Sequence, residues 1–257
     1  MSAIAAELTG LDLTGSRRVS LSRLVRVELR KTSDTRAGMW LLIGIAALAG
    51  VVSTIYMIIA DLPDRTFVKL IGAAPIPQMT LLPVLGILLV TSEWTQRTAL
   101  VSFTLEPVRL GVVTAKVIAA LVLGLAAVIV TLVIGAGVTL IGGNEVAWSG
   151  VGGDTIARLA LVQEAMVLRG LAFGLLILNS AGAIAVYFIL PSAFSLVTLS
   201  WKALKDVAPW INFDSGILLQ ATTPTSDQWA QFGVTGLIWI VLPLAIGLVR
   251  VLRKEVK

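Results

Sequence analysis

The 257-residue sequence contains no cysteine and no histidine. Disulfides, thiol nucleophiles and imidazole bases are thereby excluded, together with the usual zinc, haem and iron–sulfur ligand sets. Charge is scarce as well: 14% of the residues are charged, where soluble domains carry about 25%. Also missing is any G-x-x-x-x-G-K-[ST] run of the kind that cradles nucleotide phosphates. An intramembrane enzyme needs acid, base or nucleophile groups gathered at one depth, and scattered Asp, Glu, Ser and Thr make no such cluster. No catalytic, cofactor-binding or metal-ligating residue is expected in this chain.

Apolar surface is what the sequence has in abundance. Hydrophobic residues make up 57% and the mean hydropathy is +0.94. A helix needs about 20 apolar residues to cross the hydrocarbon core, and windows of that kind run over 38–60, 75–92, 111–141, 155–178, 183–200 and 232–251. The expected fold is therefore an all-α integral membrane protein with six transmembrane helices. Residues 1–20 read as a cytoplasmic tail, 21–36 as an amphipathic interfacial helix, and 37–257 as a six-span domain. The third window is about 45 Å long if helical throughout, so its ends should protrude from a hydrocarbon core of about 30 Å. Asn179, Ser180, Ala181 and Gly182 separate the fourth and fifth windows as two antiparallel spans.

Basic residues give the orientation, because cytoplasmic loops retain Lys and Arg. Fourteen of the twenty lie in the N-terminal segment, the connection after the second window and the C-terminus, against five in the other connections. Both termini are expected on the cytoplasmic side of the plasma membrane. The pI near 9.9 then reflects contact with anionic lipid headgroups rather than nucleic-acid binding.

Ahead of the first span, Leu21, Leu24, Val25 and Leu29 share one helical face, and Arg23, Arg26 and Arg30 take the opposite one. Such a helix lies in the membrane interface, as an anchor or as a docking surface for a cytoplasmic partner. Glu28 falls inside the apolar arc, about 20° from Leu21 by the helical step, and needs a partner that the sequence does not name. The segment 93–110 follows the second span with Glu93 and Trp94, then Arg97, Thr98, an apolar run, Leu105, Pro107 and Arg109. It reads as a short helix across the cytoplasmic face, stopped by the proline, with apolar surface suited to a protein contact.

These residues carry a family resemblance. Glu93-Trp94-x3-Thr98, followed by Pro107-x-Arg109 and by Lys116 opening a long span, resembles the cytoplasmic coupling segment of type-two ABC exporter permeases. Val27-Glu28-Leu29-Arg30-Lys31 resembles that family's interfacial helix before the first span, and Asn179 to Ala185 resembles its turn between the fourth and fifth spans, with Leu178 standing where members often carry a basic residue. The resemblance implies one half of a permease dimer, formed with a copy of itself or a related chain. It further implies a separate pair of ATP-binding-cassette ATPase subunits that bind the ATP and magnesium. Glu93, Trp94, Arg97, Thr98, Leu105, Pro107 and Arg109 would transmit ATPase closure to the spans, and the cargo would be an amphipathic or lipid-like compound, a drug or a peptide. A membrane scaffold without transport, or an ion-coupled carrier, are the other readings of a six-span chain, although no internal repeat supports the carrier.

Within the fourth span, Glu164 and Arg169 are costly if left facing lipid, about 2.5 to 3.5 kcal/mol each on insertion scales. They lie about 140° apart on a helix, so each is expected to meet its own surroundings, in an interhelical polar contact or along a translocation path that includes Asn179. Gly170 and Gly174 offer a small-x3-small surface for close helix packing. The external segment 201–231, with Trp201, Trp210 and Trp229, is expected to form short interfacial or re-entrant helices.

Overall fold

The computed structural model describes residues 19–96, 108–142, 145–213, 217–220 and 223–253, and among them every regular element is helical. The coupling helix expected across the cytoplasmic face lies mostly outside the described residues, and with it Arg97, Thr98, Leu105 and Pro107.

The first helix, α1 (Leu21–Asp34), is the expected amphipathic one. It ends at Thr35, whose extended backbone turns the chain and whose hydroxyl accepts from the Gly38 N–H at 3.2 Å to start α2 (Arg36–Ile59). A short α3 (Phe67–Ala73) precedes α4 (Gln78–Thr95), at an angle of 49°. Pro75 and Pro77 lie in the break, where a missing amide donor prevents one continuous helix. The hydropathy window at 75–92 thus covers α4, and α3 falls in what reads as a connection. Then come α5 (Arg109–Gly142), α6 (Gly153–Ile177) and α7 (Ser180–Ser200). The external segment holds α8 (Ala208–Ile211) and α9 (Ile217–Gln220) and leads into α10 (Ser226–Arg253).

Among the described residues, α2, α5, α6, α7 and α10 are each long and apolar enough to cross a membrane, and α3 with α4 pass the same test as a bent pair. Exposed apolar side chains such as Ile59, Val133, Ile189 and Leu196 cover the outer faces, which suits hydrocarbon and not water. At about 1.5 Å per residue the 34-residue α5 is about 51 Å long, well beyond the hydrocarbon core.

α6 is the central helix. Its apolar window is 67% buried, against 17% to 33% for the other four spans. It packs on α4, α5 and α10 around Leu82, Leu89, Ala120, Val167 and Leu171. The tightest contact is with α4, where a Cβ on Gly170 would run into the Pro83 backbone and one on Gly86 into that of Val167. Reciprocal approach of two backbones is the use to which membrane helices put small residues. Gly170→Val is expected to cost about 1–3 kcal/mol by overpacking, read as a lower thermal unfolding midpoint of the purified protein; an unchanged midpoint would mean that this contact yields freely.

α6 closes on Leu178, which adopts the left-handed conformation (φ 58°, ψ 27°) while its side chain stays buried. Asn179 then starts α7, its side chain accepting from the Gly182 N–H at 2.8 Å. The expected antiparallel turn is formed by these two residues.

Candidate functional site

Glu28 has the partners its position demands. The carboxylate is turned away from solvent, 4% exposed, beneath α1. It meets the Lys31 ammonium at 3.0 Å on its own helix and the Lys116 ammonium at 2.5 Å on α5. The same two ammonium groups reach Glu93 at the end of α4, at 2.5 Å from Lys31 and 3.4 Å from Lys116. Lys116 also donates to the Leu89 carbonyl at 3.0 Å. Among the described residues, two carboxylates and two ammonium groups therefore form one ion-pair cluster joining α1, α4 and α5.

Burial makes this cluster consequential. Glu28, Glu93 and Lys116 are each about 5% exposed or less, and only Lys31 reaches solvent. Burial alone works against the charge on Lys31, but the Glu28 and Glu93 carboxylates beside it hold its pKa above the ordinary value. Paired and hydrogen-bonded, such ions are tolerated; with one partner removed, the remaining charge is stranded.

The other residues of the two segments fall around this cluster. Leu29 and Trp94 pack on the apolar core beside it, whereas Arg23, Arg26 and Arg30 stay exposed, Arg30 paired with Asp34 at 3.4 Å. Arg109 at the start of α5 donates to the Val251 carbonyl at 2.9 Å, and Arg250 donates to the Leu176 carbonyl at 2.6 Å. Cationic side chains on the final carbonyls complement the negative ends of α10 and α6. Between α1 and α4 lies a cavity of about 630 Å³, with Leu24, Val27, Leu85 and Leu89 on its walls and Glu28 and Glu93 at its charged edge.

Glu93 is thus not a surface residue. Its carboxylate points inward and ties α1 to α4 and α5. Neither Glu28–Lys116 nor Lys31–Glu93 is legible from spacing, since the partners are 88 and 62 residues apart.

A second polar set lies inside the spans. Both carboxylate oxygens of Glu164 are buried without a hydrogen-bond partner, seated where Gly124 of α5 leaves room for them. Near it, the Gln163 amide donates to Gln78 at 2.7 Å and to Thr131 at 3.1 Å, joining α6, α4 and α5 through buried side chains. Arg169 turns elsewhere, into an aromatic cage of Tyr187, Phe213 and Trp239. Glu164 and Arg169 do not pair with each other, nor with any charged side chain among the described residues. Asn179 serves as the cap of α7.

Among the described residues, no group of three or more acidic side chains gathers in a way that would hold a metal ion. Compared with known proteins, the chain matches no family model and no curated protein.

Proposed function

We propose that the chain is the transmembrane permease subunit of an ATP-driven exporter, supplying half of a translocation path for an amphipathic cargo. In this reading α2, α4, α5, α6, α7 and α10 are six spans in the plasma membrane, both termini are cytoplasmic, and a second permease half completes the pore. A separate ATPase pair docks on the segment after α4. ATP and magnesium are bound there, not in this chain.

The observation that carries the reading is the Glu28–Lys31–Glu93–Lys116 cluster. It links the two segments in which the resemblance to exporter permeases resides, the interfacial helix and the Glu93-Trp94 end of α4. A push applied at residues 97–107 by a docked ATPase would be delivered through these ion pairs to α1, α4 and α5 together. The nearby cavity, apolar with a charged edge, suits the amphipathic side of a docking segment. Unpaired polar groups at Glu164 and Arg169 fit a chain that handles polar cargo within the membrane.

The test is isolation of the tagged chain from native membranes in mild detergent, followed by identification of co-purifying proteins and an ATP-hydrolysis assay. A stoichiometric ABC ATPase with vanadate-sensitive activity is expected. Isolation of the chain alone, under conditions that preserve a known ABC complex, would leave a scaffold or carrier as the better reading.

A further inference from the structure

Arg169 is 6% exposed and lies about 12 Å along α6 from its Ile177 end, within the apolar part of the span. Its guanidinium carbon is 4.7 Å from the ring centre of Tyr187 on α7, 4.8 Å from that of Phe213 and 5.4 Å from that of Trp239 on α10. Those three rings satisfy part of the charge. They accept none of its protons. Among the described residues Arg169 makes no hydrogen bond and no ion pair, and its Nε is fully buried without an acceptor. A guanidinium carries five N–H donors, all in its plane, and aromatic rings beside it offer no carboxylate or carbonyl oxygen to receive them.

The cage is built, and not an accident of collapse. Trp239 sits in a π-helical turn, Leu237–Val241, where the Leu242 N–H reaches back five residues to the Leu237 carbonyl. Pro243 follows and has no amide hydrogen to offer the Trp239 carbonyl, so the wider turn arises there. Its indole N–H donates to the Ile211 carbonyl at 2.6 Å, and Phe173 stacks against its ring at an interplanar angle of 11°. The segment carrying Phe213 is tied down in turn by the Asn212 amide, which donates to Thr198 at 2.8 Å. Turns of the π type recur at functional sites because they carry a side chain out of helical register.

We infer that Arg169 and its aromatic cage form a binding site for the anionic head, a carboxylate or phosphate, of an amphiphile whose tail lies among the apolar side chains around it. The guanidinium edge supplies bidentate hydrogen bonds and the rings exclude water, so an anion held there meets an undiluted charge. As the site of transported cargo it rests on the permease reading; as a site for an anionic headgroup it does not.

The test uses the purified full chain, delipidated in a neutral maltoside, and compares oleate, oleyl alcohol and oleylamine as added amphiphiles by native mass spectrometry. Oleate is expected to be retained at one per chain, about 10-fold or more better than the alcohol, as a charge-assisted contact provides. Arg169→Gln should abolish that preference and Arg169→Lys should keep part of it. The wild-type comparison stands even if a variant fails to fold. Equal retention of oleate and alcohol, or a preference indifferent to Arg169→Gln, would overturn the site. Asp214 follows Phe213 in sequence and lies outside the described residues; if only Asp214→Asn gains oleate binding, the chain's own carboxylate is the occupant and the proposal is wrong. Phosphatidylglycerol that co-purifies with the wild type and is lost in Arg169→Gln would identify a resident lipid. Stimulation of a co-purified ATPase by oleate would identify cargo, and its absence with binding intact would count against the exporter reading alone.

Discussion

Lys116→Met is expected to lower the unfolding midpoint of the purified chain by on the order of 10 °C. The substitution preserves length and removes the buried ammonium that meets Glu28 at 2.5 Å and Glu93 at 3.4 Å, so both carboxylates lose a buried counter-charge. Breaking one partner of a buried ion pair costs about 3–5 kcal/mol, because the other charge stays behind. The double variant Glu28→Met with Lys116→Met removes one charge of each sign and keeps Lys31 with Glu93, and it should recover most of the loss. The coupling between the two substitutions is the quantity to measure. Strict additivity would mean that Lys116 acts through Glu93 and its hydrogen bond to the Leu89 carbonyl and not through Glu28.

Glu93→Gln is expected to separate folding from communication. Both lysines keep Glu28 as a partner, so the chain should insert and purify, but the charged link from α1 to α4 is gone. On the exporter reading, stimulation of the partner ATPase by this chain then falls severalfold, while the ATPase alone is unaffected. Stimulation at the wild-type level would remove Glu93 from the path between the two subunits. On the same reading, Glu28→Gln, which also weakens the hold of the cluster on α1, should produce a related loss.

Hydropathy alone located the apolar helices, since a membrane leaves few other options for such runs. The need of Glu28 for a partner could also be read from its place on the apolar face of α1. Its partners could not, because Lys116 lies in a different helix and its position there suits an ordinary headgroup contact. Similarly, Glu164 and Arg169 stand out as charges in an apolar span, yet Tyr187, Phe213 and Trp239 come from three separate parts of the chain and carry no pattern. Phe67–Ala73 was hidden for a different reason: seven residues between prolines and charges give no period long enough to distinguish a helix from a connection. The turn at Leu178 and Asn179 was legible from its helix breakers, although the left-handed residue is the leucine and not the asparagine.

The wide turn at Leu237–Val241 also sets the angular phase of α10. A π turn accommodates one residue beyond the α-helical count, so the two halves of α10 are rotated against each other by about 100°. The turn itself directs Trp239 to the cage, and the half after it presents Gly247 to the Leu175 backbone of α6 and Arg250 to the Leu176 carbonyl. Deleting a single residue from the turn would leave α10 long and apolar enough to span, but would swing one of those two faces away from its partners. Length tolerance in this helix is therefore not continuous: the span works as a ratchet with one permitted tooth.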